Sequence, residues 1–304
     1  MTTVWHLLKY VPLPVKRAVR GVLPERARFW LRERLGGGCE TIPDKVIAVP
    51  DGRQFHIGPD YIYLPLHRGE EFEPDATRVF RKLVRAGDVM VDVGANYGWY
   101  TTLAAQLVGT EGRVFAFEPV PSTFERLSEH IELNSVTQQV QAVRSAVGTE
   151  RGSVTMHVFD ELSHSRSSVS TLGREAYEQH VAPVIDLDSF LSEQQIADVD
   201  FMKCDVEGAE MLVLKGAAQL LSSPSAPMVM LEMNEETSNA FGYSAGDLWK
   251  QLVDYGYDRF YEIRPGGRLR PAKTEMEARA ADILVACKGD RIDQRMGDPV
   301  ARAA

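Results

Sequence analysis

From Asp88 onward the chain repeats one pattern: a short apolar run, then a stretch of helix length. VMVDVG is followed by GWYTTLAAQLVG, RVFAFE by PSTFERLSEHIELN, and VQAVRSAVG stands as a third run. After an interruption come DFMKCD with EGAEMLVLKGAAQLL and PMVMLEMN with SAGDLWKQLVDYGY, and DRFYEI and DILVAC close the series. Apolar runs without polar alternation are strands buried on both faces, and helices between them supply the crossovers of a parallel sheet. The expected fold is therefore α/β, a doubly wound and mostly parallel sheet. In such a sheet ligands bind at the carboxyl ends of the strands, beside the point where strand order reverses.

The rest of the chain is organised around this core. Residues 1–40 read as a basic, partly helical extension broken by Pro12, Pro14 and Pro24, with Gly36, Gly37 and Gly38 as a hinge. Residues 41–87 read as a β-hairpin, KVIAV and RQFHI about Pro50-Asp51-Gly52, plus a helix opened by Pro74 and stopped by Gly87. The core is expected over 88–290. An insertion at 151–199 holds SHSRSSVST and VIDLDSFL, read as a flexible insertion or a substrate lid. A polar, frayed tail is expected over 291–304.

Charge and cysteine usage narrow the function. The chain has 34 Lys/Arg against 43 Asp/Glu, and residues 1–35 alone hold eight Lys/Arg and two Glu. The acidic remainder speaks against nucleic acid as the main partner. The basic start suits either peripheral contact with an anionic membrane or an amphipathic helix packed on the body. Cys39, Cys204 and Cys287 form no CxxC pair, which fits a reducing compartment and excludes a cysteine zinc site. No apolar run reaches the length of a membrane span, and the start lacks the order of a signal peptide. The expected location is the cytoplasm.

The loop Asp92-Val93-Gly94-Ala95-Asn96-Tyr97-Gly98 follows the first core strand and opens a helix. Its D-x-G-x-N-x-G spacing is neither the GxGxxG of NAD-binding folds nor a P-loop, and it matches the acidic glycine loop of S-adenosylmethionine (SAM) methyltransferases. Gly94 permits a tight turn, Asn96 tolerates a left-handed backbone, and Gly98 lets the helix approach the sheet. Asp92 is expected to hold loop amides or, through water, the cofactor ammonium. Glu118 ends the second strand 24 residues after Gly94, where a carboxylate can accept both ribose hydroxyls, and Pro119 stops the strand.

With these stretches, SAVG, VIDLDSFL and above all DFMKCDVEGAEMLVLKGA, the sequence resembles the FkbM family of SAM-dependent methyltransferases over about residues 70–235. The resemblance implies a Rossmann-like class I SAM methyltransferase, usually an O-methyltransferase of sugars or natural-product hydroxyls. The cofactor set is then Asp92, Val93, Gly94, Ala95, Asn96, Tyr97, Gly98, Glu118, Pro119, Ser145, Ala146 and Asp205.

An alcohol must lose its proton to attack a methyl group, so a general base is expected at the strand ends. Asp205 is the first candidate and Glu232 the second. Lys203, on the same side as Asp205, orients a carboxylate or lowers the acceptor's pKa, or else is a buried ion pair that only holds the strands. Asn234 is placed beside Glu232, while Glu207 and Glu210 are expected to cap a helix. No metal is assigned. His157 and the loop residue His164 are weaker candidates. Tyr97, Trp99 and Tyr100 are read as stacking groups or as core. The acceptor expected is a small-molecule, sugar or lipid-linked hydroxyl. The alternatives are an N-methyltransferase, a nucleotide-binding oxidoreductase, or a non-catalytic scaffold. The first expects a Pro-Pro-Tyr-type loop where Asp205-Val206-Glu207-Gly208 stands.

Overall fold

The computed structural model describes residues 43–58, 60–158, 167–168 and 178–297. The readings made for residues 1–40, for His164 and for the last seven residues lie outside the described residues.

The hairpin forms as its turn chemistry requires. β1 (Lys45–Ala48) and β2 (Gln54–Ile57) pair antiparallel about a turn with Gly52 at φ 87°. Arg53 in this turn is completely buried, an unusual place for a guanidinium. It is paired with Asp51, donates to the Trp99 carbonyl (2.5 Å) and the Thr102 hydroxyl (3.0 Å), and lies 4.1 Å from the Trp99 ring centre. Each of its three guanidinium nitrogens thus has a partner within the protein, which is the condition for burying such a charge. A short helix α1 (Leu64–His67) and then α2 (Pro74–Leu83) lead into the core.

Five parallel strands form the centre: β3 (Val89–Val93), β4 (Arg113–Phe117), β5 (Val140–Val143), β10 (Phe201–Cys204) and β11 (Met228–Glu232). Three antiparallel strands, β12 (Arg259–Arg264), β13 (Arg268–Pro271) and β14 (Ile283–Cys287), complete a sheet of order β13-β12-β14-β11-β10-β3-β4-β5. The first three strands run outward from β3 on one side and the later ones on the other. The order therefore reverses between β3 and β10.

The connecting helices are α3 (Trp99–Val108), α4 (Pro121–Leu133), α5 (Leu187–Glu193), α6 (Glu210–Gly216), α7 (Ala218–Ser222), α8 (Glu235–Ala240), α9 (Ala245–Asp254), α10 (Glu275–Arg279) and α11 (Arg291–Met296). Strand side chains alternate between two cores. Met90 and Met230 join one, with Leu103 of α3 and Phe55 of the hairpin. Val91, Val93 and Leu231 join the other, with Leu187 of α5 and Leu214 of α6.

Three features differ from the sequence reading. The SAVG run does not continue β5: the chain leaves the sheet, and β6 (Ala146–Val147) joins a second sheet with β7 (Gly152–Val158), β8 (Ser167–Ser168) and β9 (Glu178–Ile185) in the order β6-β9-β7-β8. The insertion thus contains an antiparallel strand pair, β7 with β9, as well as the helix α5 formed by LDSFLSE. The tail begins as helix α11, from which Arg295 bonds the Leu83 carbonyl and pairs with Asp88.

Candidate active site

The turn after β3 is built by backbone. Gly94 sits at φ 78°, and the Gly94 and Ala95 N–H groups both donate to the Phe117 carbonyl (3.1 and 3.0 Å). A Cβ on Gly94 would lie 1.9 Å from the Asp205 carbonyl oxygen, so this turn is packed against the loop after β10. Asn96 is left-handed (φ 52°), and its side-chain oxygen accepts from the Tyr97 N–H (2.9 Å). Gly98 is also at positive φ, but the close neighbour is Leu127 of α4, 2.6 Å from where its Cβ would be. The packing it relieves is helix to helix, where helix to sheet was expected.

Glu118 stands directly after β4 and is buried. One carboxylate oxygen accepts from the Asn96 N–H (3.0 Å) and the other from the Val120 N–H (2.9 Å). The glycine turn and the acid are therefore in contact. Burial pushes the Glu118 carboxyl up to about 7, against two backbone donors that favour its charge.

Of the two roles expected for Asp92, holding the loop amides is not the one its side-chain bond serves. It is fully buried and accepts from the Thr101 hydroxyl (2.6 Å), so it fixes the first turns of α3 and not the loop amides. Burial raises its carboxyl above the ordinary range, with the Lys203 charge and the Thr101 bond acting the other way. Tyr97 stacks on Tyr63 at 4.9 Å, and its hydroxyl donates to Asp60 (2.8 Å). Trp99 and Tyr100 are buried, donating to Thr77 (2.9 Å) and Glu73 (2.8 Å).

A cleft opens beside the turn, and Val93, Gly94, Pro119, Ser145 and Ala146 all line it. Asp92, Ala95, Asn96, Tyr97, Gly98, Glu118 and Asp205 are not among the lining residues and stand behind or beside them. The Ser145 hydroxyl is 2.8 Å from the Pro183 carbonyl, which ties the rim of the cleft to β9.

On the other side of the reversal point, Lys203 and Asp205 meet at 3.2 Å, the lysine buried and the aspartate side chain 29% exposed. The Lys203 ammonium also lies 4.9 Å from the Tyr100 ring centre. Burial opposes its charge, yet the carboxylates of Asp205, Asp92 and Glu73 together outweigh burial and hold it above the ordinary lysine range. Lys203 is a fixed cation. Glu232 is buried at the end of β11, and the register Lys203↔Met230 puts it on the same sheet face as Lys203. Asn234 does not join it: its side chain caps α8, accepting from the Glu236 and Thr237 N–H groups.

The loop after Asp205 has an unusual backbone, with Glu207 at φ 53° and Gly208 at φ 106°. Glu207 therefore lies in the turn, before the helix it was expected to start. Glu210 opens α6 and turns back, one oxygen accepting from the Val206 and Gly208 N–H groups (3.1 and 3.2 Å). The Tyr243 hydroxyl stands 2.6 Å from the Gly208 carbonyl and 3.1 Å from Glu210.

Sequence reasoning did not single out Glu73, which is also left-handed (φ 42°). Only its place before Pro74 marks it in the sequence. His157, on β7, is paired across the second sheet with Ser168 and Gln179.

Residues 92–259, more than half of the chain, match the family model for the methyltransferase FkbM domain. The chain belongs to the FkbM methyltransferase family. It is 30% identical over 156 residues to hexuronic acid methyltransferase AglP of Haloferax volcanii, covering 51% of this chain and 59% of that protein. It is 32% identical over 145 residues to Methyltransferase 1 of Beauveria bassiana, covering 42% of this chain and 57% of that one. The chain thus spans less than two thirds of the length of these curated relatives. Among solved structures, a SAM-dependent O-methyltransferase from Thermotoga maritima aligns over 85% of this chain and 81% of its own, at 16% identity and a TM-score of 0.40.

The fold is Rossmann-like, of the class I SAM methyltransferase type, as the strand order and its reversal at β3 and β10 require. The residues present suit SAM, the cofactor of FkbM methyltransferases. The cleft offers apolar walls for a nucleobase, and the carboxylate of Glu118 ends the strand next to it. The FkbM match takes in the turn, Glu118 and the loop after β10, and leaves the hairpin, α2 and Glu73 outside.

Proposed function

We propose that the protein is a SAM-dependent O-methyltransferase acting on a hydroxyl of a glycan, glycolipid or secondary metabolite. One observation carries this reading: a partly exposed carboxylate, Asp205, stands beside a buried cation on the loop that packs against the cofactor turn. Bound in the cleft, SAM supplies a methyl carbon with a sulfonium leaving group. The chain must then supply alignment and a proton acceptor.

Val93, Gly94, Pro119, Ser145 and Ala146 hold the cofactor, and Glu118 accepts from the ribose hydroxyls. Asp205 takes the proton of the acceptor hydroxyl, and Lys203 fixes its carboxylate and favours the developing alkoxide electrostatically. Glu232 is the second carboxylate within reach of the acceptor. The similarity to AglP, a hexuronic acid methyltransferase, supports a sugar as acceptor. Among the described residues no helix is long and apolar enough to cross a membrane. A cytoplasmic enzyme meeting small, sugar or lipid-linked acceptors fits the reading.

The test is release of S-adenosylhomocysteine with p-nitrophenyl glucuronide and p-nitrophenyl glucoside as probes, with the methylated product identified by mass. D205N is expected to lower kcat about 100-fold or more while leaving cofactor affinity within threefold, in the range for loss of a general base. Undiminished turnover in D205N sinks the assignment of Asp205. Methylation confined to amine acceptors sinks the reaction class.

A further inference from the structure

Two strands of the segment that interrupts the core, β7 and β9, face the cleft. Val154 and Met156 of β7 and Val184 of β9 line the same cleft as Gly94, Pro119 and Ala146. The register Val154↔Ala182 and Gly152↔Val184 puts these side chains on one face of the second sheet. That face is apolar and packed, and Val120, Met156 and Ala182 form a small buried cluster with Val154 against it. Val181 points the other way and is 76% exposed.

The sheet is also fixed to the cofactor rim from two directions. β6 pairs parallel with β9 (Ala146↔Val184), and Gly148 donates to the Ile185 carbonyl (2.9 Å). Val120, two residues after Glu118, is the anchor on the other side. A hairpin tied to the residues flanking the ribose acid is placed to serve as a wall of the cleft.

We propose that the β7–β9 hairpin is a cofactor-binding element, with Val154, Met156 and Val184 forming the wall that closes on the nucleobase of SAM. This rests on the reading of the cleft as the SAM site. The choice of the nucleobase end follows from order along the rim. Gly94 follows β3 and Glu118 follows β4, so along the strand order a nucleoside whose ribose meets Glu118 extends its base toward Ser145 and Ala146, after β5, with Val206, Ala209 and Leu212 lining the same cleft from the other side. Apolar side chains there contribute shape and burial, and the base trades water for them over its flat faces.

The test is calorimetric titration of the full chain with S-adenosylhomocysteine and with 5′-methylthioadenosine, which keeps the nucleoside and lacks the amino-acid part. M156A and V184A are each expected to weaken both ligands about tenfold and by the same factor, while V181A leaves both within twofold. V184T nearly keeps the side-chain shape and adds a hydroxyl to the wall. It is expected to weaken both ligands with little change in melting temperature, which separates wall from scaffold.

Affinities within twofold in M156A, V184A and V184T overturn the proposal and leave the SAM site standing. Losses seen with S-adenosylhomocysteine alone overturn it too, because the wall then faces the amino-acid end. Failure of the unaltered protein to bind either ligand overturns the SAM reading itself.

Discussion

The two halves of the candidate site, on either side of the point where strand order reverses, are made of different material. On the β3–β4 side the geometry is backbone: a glycine with no room for a Cβ, a left-handed asparagine, and N–H groups that meet the Phe117 carbonyl and the Glu118 carboxylate. On the β10–β11 side it is side-chain charge, one buried ammonium among the carboxylates of Asp205, Asp92 and Glu73, with Glu232 on the same face. A ligand shared by every turnover can be held by main chain, which tolerates little change. Chemistry performed on an acceptor needs groups that hold or move protons, and these can be exchanged without rebuilding the turn.

The contrast can be broken most severely at Gly94. G94A puts a Cβ into the Asp205 carbonyl at a positive φ, so both halves must shift. We expect a loss of stability of about 3 kcal/mol and loss of measurable SAM binding, read by denaturant unfolding and calorimetry. Wild-type affinity in that variant would mean that the turn is not fixed by this contact.

Next in size is K203M. Removing the ammonium leaves the fully buried Asp92 carboxylate without its counter-charge, and a loss of about 3 kcal/mol is expected at neutral pH, less as pH falls and Asp92 protonates. Equal stability at all pH values would contradict the charge-based description of this half.

Y243F probes the loop that joins the halves. It removes the hydroxyl between Gly208 and Glu210, and we expect kcat to fall about tenfold, with cofactor affinity within twofold. A fall in affinity instead of kcat would place Tyr243 in service of the cofactor side.

The smallest effect sharpens the role of Glu118. Its carboxyl is raised to about 7 in the fold, so the folded protein holds this proton more tightly than the unfolded chain. Stability from this group is present at acid pH and declines as pH rises from about 4.5 to about 7. Ribose hydroxyls donate better to the charged form, so affinity for 5′-methylthioadenosine should rise up to tenfold between pH 6 and 8. A flat profile in E118Q and a rising one in the unaltered protein is the expected pair of results.

What the sequence disclosed follows the same division. The parallel core was legible because β3, β4, β10 and β11 are apolar on both faces, and the turn because D-x-G-x-N-x-G carries its own backbone requirements. The second sheet was legible only in part: β7 alternates through Val154-Thr155-Met156-His157, but in its partner β9 an exposed Val181 and Pro183 break the pattern, and a Ser-rich stretch separates the two strands. β13 was missed for a related reason: RLRP is charged and ends in proline, which suits a sheet edge and reads like a loop. The position of Asp92 in the motif could be read, but its complete burial under Thr101 is a property of the packed helix. Glu73 reaches Tyr100 and the field of Lys203 only through the tertiary placement of α2, which no local pattern encodes.

The buried guanidinium in the first hairpin also bears on where this molecule can be cut. Arg53 and Phe55 press on Trp99, the residue that opens the helix after the cofactor turn, and β3 itself starts at Val89, ahead of the first residue that the FkbM domain match takes in. A fragment trimmed to residues 92–259 would lose part of its central strand and strip the cover from an indole. The hairpin at residues 45–57 and the sheet it covers are therefore expected to melt together, and a minimal fragment has to begin before the hairpin.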